Sequence, residues 1–302
     1  MDFLRSVAGN CLMNDLYGVD PAAPSSLLEF SALMRLFRSG QGRFIADFPR
    51  LWFDDVRQHM KSFSDIERMH AVEMWLKVGR NALLPTSAHF NAAWSWSENA
   101  VTLSERENIA KLIGSKTCPP TQTPIDEALN DLDGFPDASG ALVPRTAHAY
   151  AKVARPLLQT SPKVVLVDPY LRLREFDEVR QVFRSTKRFC ETLEALFREA
   201  AKWRRVERFK FAVSETQALY GDRDGKIFKS EVRKLADKCG AQAIEIEVVL
   251  LGDRLTTHPR YLLGMHSGLR FDWGFDTGDP KSKNDIHWLG TAVLEPLLVQ
   301  FT

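Results

Sequence analysis

The chain has 302 residues, 44% of them hydrophobic and 26% charged, with 40 Lys+Arg against 39 Asp+Glu. That length holds one large domain or two ordinary ones with a sizeable core, and the composition is globular rather than disordered or fibrous. A formal net charge of +1 excludes a global field that would by itself draw nucleic acid or a membrane surface.

The opening stretch MDFLRSVAGNCLMND lacks the basic start and apolar run of a secretory leader. No segment approaches the roughly 18 consecutive apolar residues of a membrane span. Four cysteines, Cys11, Cys118, Cys190 and Cys239, lie far apart with no C-x-x-C pair. The expectation is a reduced, cytoplasmic protein without disulfides, metal or cofactor.

Up to about residue 115 the pattern reads as helices. In SSLLEFSALMRLFRSG, Leu27, Leu28, Phe30, Leu33, Leu36 and Phe37 form a helical stripe, with Ser25 or Ser26 as N-cap and Gly40 beyond the end. Ser64-Asp65-Ile66-Glu67 is a capping box that opens a helix ending at Gly79. Ser104-Glu105-Arg106-Glu107 predicts another, ending near Gly114. Trp94, Trp96 and Asn99 lie between them and read as core packing. Residues 115–144 are rich in Pro, Gly and acids and read as a linker, followed by a short helical stretch at 145–158.

The remainder alternates. KVVLVDPYL (163–171) is a continuous apolar strand, as in a buried parallel sheet, and a long helix is predicted from Phe176 to about Arg205. RFKFAVSE (208–215) is a strand, KSEVRKLADKCG (229–240) a helix and AIEIEVVLLGD (243–253) a strand, with RYLLGM and LRFDWGF as two more. The fold class expected is α/β: a helical N-terminal domain (1–158), then a mixed, mostly parallel sheet with helices on both faces (159–302).

In open α/β sheets ligands sit outside the carboxyl ends of parallel strands. Asp168 follows the first strand of this half, Asp253 follows the third, and His258 and Arg260 come soon after. An imidazole and a guanidinium at i and i+2 on one strand face can hold two oxygens of one phosphate, and such a histidine can attack phosphorus. The bland alternative is a structural Arg–Asp pair beside a histidine satisfied by backbone.

A second candidate is the basic run Lys202, Trp203, Arg204, Arg205 and Lys210. It reads either as a solvated helix end or as a nucleic-acid contact with Trp203 stacked on a base. YGDRDGKIFKSE (220–231) imitates a calcium loop through Asp222, Asp224 and Glu231, but Tyr220 stands at the first ligand position, so a turn before a helix is the better account. SGQGRF (39–44) follows no predicted strand, and there is no H-E-x-x-H, Walker lysine motif or G-x-S-x-G.

The series "VDPYL", long helix, strand, helix, strand, "GDRLTTHPRYLLG", "GLRFDWGF" resembles the phospholipase D-like superfamily over residues 160–302. His258, Arg260, Tyr261, Leu262 and Leu263 match a divergent bacterial form of its His-x-Lys motif, and Gly268, Leu269, Phe271, Gly274 and Phe275 match the strand after it. Arg260 stands at the lysine position and Met265 at the aspartate position; no Gly-Ser-x-x-Asn segment follows, and no second motif occurs. Active relatives bring two motifs together, so a single copy would need a homodimer with facing sites.

The resemblance implies a degenerate site at His258, Arg260, Asp168 and Asp253 that binds phosphodiester in nucleic acid without cleaving it. It also implies a component of a bacterial multi-protein system against foreign DNA, with other protein subunits as partners. The alternative it implies is a homodimeric, metal-independent nuclease using His258. A third is an inert scaffold for protein contacts.

Overall fold

A computed structural model describes residues 15–37, 42–77, 82–130, 140–177, 179–214, 224–252, 260–279 and 281–301. Its first half alternates strand and helix: β1 (Asp15–Val19), α1 (Leu27–Leu36), β2 (Arg43–Asp47), α2 (Trp52–His59), α3 (Asp65–Lys77), β3 (Leu83–Pro85), α4 (Trp96–Arg106), β4 (Ile109–Gly114), β5 (Thr123–Pro124) and α5 (Ile125–Asn130). The strands make an all-parallel sheet in the order β3-β2-β1-β4-β5, with Leu16 opposite Phe44 and Ile45 opposite Leu83.

The helical reading of this half is thereby corrected. Its strands are two to six residues long, and most of β1 and β2 is buried, so the polar–apolar alternation that announces a strand is missing. Around residue 104 the boundary also differs. Ser95 and Glu98 form the capping box that starts α4, the helix stops at Glu107, and Ile109–Gly114 pairs with β1 as a strand.

At the starts of α1 and α3 the expected caps form. Ser26 accepts from the Glu29 amide at the start of α1. Ser64 and Glu67 bond reciprocally at the start of α3. Asn99 is no surface residue: its carboxamide organises the loop before α4, accepting from the Asn91 amide and donating to the Asn91 and Ser95 carbonyls.

The second half contains β6 (Gly140–Pro144), α6 (Ala147–Thr160), β7 (Lys163–Val167), β8 (Arg174–Asp177), β9 (Val182–Ser185), α7 (Lys187–Trp203), β10 (Arg208–Ser214), α8 (Lys226–Lys238), β11 (Glu245–Leu251), β12 (Arg260–Gly264), β13 (Gly268–Phe271), β14 (Lys283–Trp288) and α9 (Thr291–Phe301). Seven strands form one mixed sheet, β11-β10-β7-β12-β13-β14-β6, parallel from β11 to β7 and antiparallel from β12 onward. With both sheets taken together the chain is α/β with mostly parallel pairing.

Two further boundaries move. Residues 140–144 pair with β14, and Tyr150, Leu157 and Leu158 of α6 sit in the core of the second sheet, so the chain passes to its second unit before residue 140 rather than after 158. The helix expected from Phe176 begins at Lys187, preceded by the β8–β9 hairpin. β9 is exposed along its length, so little burial constrains its spacing to look unlike a helix.

Alternate residues of β7 face opposite layers. Val164 and Leu166 join Leu262, Phe271 and Phe211 under α6, α7 and α8, while Val165 and Val167 join Tyr261 and Leu263 under α9. Each fully buried Phe or Leu in these layers contributes about 1.5–3 kcal/mol. Phe44 and Leu84 of the first sheet belong to the larger of these cores, and Phe44 meets Trp288 edge to face at 5.7 Å, so the two sheets share packing. Among the described residues no helix is long and apolar enough to cross a membrane.

Candidate functional site

The apolar strand β7 ends at Asp168, whose side chain is 1% exposed. The Tyr170 amide donates to its Oδ1 at 2.9 Å and the Phe275 amide to its Oδ2 at 3.3 Å. Burial pushes this carboxyl from its ordinary 3.8 up to about 6, against the downward pull of those two amides and of Arg260; Asp276 adds a smaller push upward.

Arg260 opens β12, which runs antiparallel to β7 with Tyr261 opposite Val167, so its side chain reaches the same rim. Its Nε lies 3.8 Å from Asp168 Oδ1, beyond hydrogen-bond range, and is buried with no hydrogen-bond partner among the described residues. Nη1 donates to the Asp272 carbonyl at 2.8 Å, and the guanidinium lies 5.0 Å over the Tyr170 ring. The arginine is therefore oriented on three sides but only loosely compensated, and 16% of its side chain remains exposed.

A turn at 272–276 closes the rim. Fully buried Asn284 donates to the Gly274 carbonyl at 2.9 Å and to the Tyr150 hydroxyl at 3.0 Å, and accepts from the Trp273 amide at 3.0 Å. Arg145 pairs with Asp276 at 2.6 Å on the far side of the turn. Gly274 has φ +88°, and a Cβ there would stand 3.2 Å from Asp168 Oδ2 and 3.4 Å from Arg260 Nε. Gly274→Ala is expected to cost about 1–3 kcal/mol in urea denaturation, from backbone strain and from crowding the pair; an unchanged midpoint would mean that the turn adapts freely.

Asp168 and Arg260, predicted from opposite ends of the second half, are thus brought together. Asp253 and His258 lie outside the described residues. The basic run is elsewhere. It begins at the C-terminal end of α7, whose N-terminal end is tied to the rim by Thr277 bonding the Arg188 carbonyl. Seventeen helical residues separate the two ends, a distance of about 25 Å.

There Trp203 donates its indole N–H to Glu199 at 2.8 Å, Arg155 reaches the same carboxylate at 2.6 Å, and Lys202 lies over the Trp203 ring. Arg204 is the left-handed C-cap and is exposed, as is Arg205. Lys210 keeps only 12% of its side chain exposed, beside Glu247. The structure gives Trp203 a structural position, and the run does not extend the Arg260 rim.

Met265 occupies the turn after β12 and is 45% exposed. An aspartate there would stand about 16 Å along the strand from position 260. The missing acid is accordingly not one that would touch the rim; Asp168 is the carboxylate beside Arg260. In the calcium-loop mimic, Asp222 lies outside the described residues, Asp224 pairs with Lys226, and Glu231 is engaged by Arg174 and Lys234. No group of three metal-ligating side chains is found among the described residues.

Sequence reasoning missed Asn284, Tyr150 and the Arg145–Asp276 pair. The available signal was the glycine in DWGFD, which marks a turn, but nothing local connects it to a residue 134 positions from Tyr150. No family model matches the chain, and no curated protein matches it at a significant level. The chain is similar to the solved structure of TrmBL2, an archaeal chromatin protein with a novel mode of DNA binding, at 8% identity and a TM-score of 0.29. The match covers 54% of this chain and 50% of that one, and at that TM-score it carries no argument about fold or function.

Proposed function

We propose that the chain binds a phosphodiester of nucleic acid at the Asp168–Arg260 rim and does not cut it. The observation that carries this is the geometry of Arg260: a guanidinium held at the carboxyl edge of the parallel strands by Tyr170 and the Asp272 carbonyl, its Nε facing a carboxylate beyond hydrogen-bond range. The N-terminal end of α7, which Thr277 ties to the rim through the Arg188 carbonyl, has no acid in its first turn, so its dipole favours an anion there.

The motif resemblance extends the proposal to a subunit of a bacterial multi-protein system acting on foreign DNA. A second reading is a homodimeric metal-independent phosphodiesterase using His258, which rests on the motif resemblance. Cleavage of a nucleic acid by the intact protein, lost in His258→Ala, would establish that reading over the first.

Arg260→Gln is expected to weaken binding of a labelled oligonucleotide at low salt about tenfold or more. It should also lower the slope of log affinity against log salt by about one. Titration by fluorescence anisotropy across a salt series checks both. Absence of binding by the unaltered protein, or an Arg260→Gln variant that binds equally well, would sink the proposal.

A further inference from the structure

We propose that Trp273 is a stacking platform for an unpaired base, so that the rim takes single-stranded nucleic acid with a phosphate on Arg260 and the adjoining base on the indole. This rests on Arg260 being the phosphate contact.

The indole is 63% exposed, while Phe271 and Phe275 on either side of it are fully buried and pack on each other at 4.3 Å. The exposure does not come from a loose segment. The Asp272 amide bonds the Asp285 carbonyl, the Asp272 carbonyl takes Arg260, the Trp273 amide bonds Asn284, the Gly274 carbonyl takes Asn284, and the Phe275 amide bonds Asp168. These five backbone groups around the indole are held by a neighbouring strand or a side chain of the rim, so the ring is presented from a fixed base and loses little freedom on binding.

Trp273 also lies one Cα step, about 3.8 Å, from the residue whose carbonyl holds Arg260. A cation and an exposed flat apolar face borne by one turn suit a strand in which phosphate and base alternate. A duplex keeps its base faces stacked inside, so only an unpaired base can cover the indole. The same rim already uses aromatic–guanidinium stacking between Tyr170 and Arg260.

The test is fluorescence anisotropy on the full chain with four probes of equal length: oligothymidylate, oligouridylate, a duplex and an abasic deoxyribose-phosphate strand. Single strands should bind more tightly than the duplex, and the preferred sugar tells DNA from RNA. Trp273→Ala and Trp273→Leu should weaken binding of the preferred single strand about 5- to 100-fold, leave the abasic strand unchanged and melt like the unaltered protein. Trp273→Phe should restore most of the affinity.

Arg260→Gln should weaken every probe, the abasic strand included. If Trp273→Ala binds as the unaltered protein does, or the duplex is preferred, while Arg260→Gln still loses affinity, stacking is overturned and phosphate binding stands. If the unaltered protein binds none of the four, phosphate binding itself falls and stacking falls with it.

Discussion

Asn284→Ala is expected to destabilise the protein by about 4 kcal/mol, more than any other single change around the rim. The side chain is fully buried and makes three hydrogen bonds, to the Tyr150 hydroxyl, the Gly274 carbonyl and the Trp273 amide. Truncation strands all three partners away from water, and each stranded group costs about 1–3 kcal/mol, reduced where the site relaxes. The Tyr150 hydroxyl also interacts with Arg145, which softens its share. Urea denaturation should show a lower midpoint with an unchanged m-value. A loss under about 1 kcal/mol would mean that the turn is held by Asp168 and the Asp285 carbonyl alone.

Asp168 gives the second large effect, and its sign is the reverse of an ordinary salt-bridged carboxylate. Its pKa is raised in the folded state, from 3.8 to about 6, chiefly by burial. The folded protein therefore holds a proton that the unfolded chain gives up, so this group's contribution is fully present below pH 3.8 and is lost as pH rises through about 6. A shift of that size corresponds to about 3 kcal/mol.

Asp168→Asn cannot titrate. Unfolding free energies of the two proteins should diverge with pH, the native protein falling relative to the variant by about 3 kcal/mol between roughly pH 4 and pH 7.5. A constant difference across that range would show that Arg260 neutralises the carboxylate after all, and would remove the loosely compensated guanidinium on which phosphate binding depends.

Part of this site was legible because its residues follow recognisable strands. KVVLV is followed at once by an aspartate and RYLLG begins with an arginine, and strand-end polar groups are where ligands meet α/β sheets. That β7 and β12 are neighbours was not legible. Ninety-two residues, two other strands of the sheet among them, intervene between them, and pairing partners are chosen by packing over the whole sheet. Nor was the 25 Å between the basic run and the rim visible, since both precede or follow strands of one sheet and only the direction of α7 separates them.

By itself the sequence determined what depends on near neighbours: the Ser26 and Ser64 caps, the buried strands of the second half, and the strand-end placement of Asp168 and Arg260. Capping and strand burial are set by residues within a few positions of each other, so the chain states them openly. Only the tertiary structure decided that the first half carries a parallel sheet, because its strands are two to six residues long and the buried ones, β1 and β2, have no alternation to read. It also decided that Asp168 sits against Phe275 and Asn284 against Tyr150, pairs separated by 107 and 134 positions. Those contacts belong to no local pattern; they exist because burying both faces of one sheet brings these polar groups together away from water.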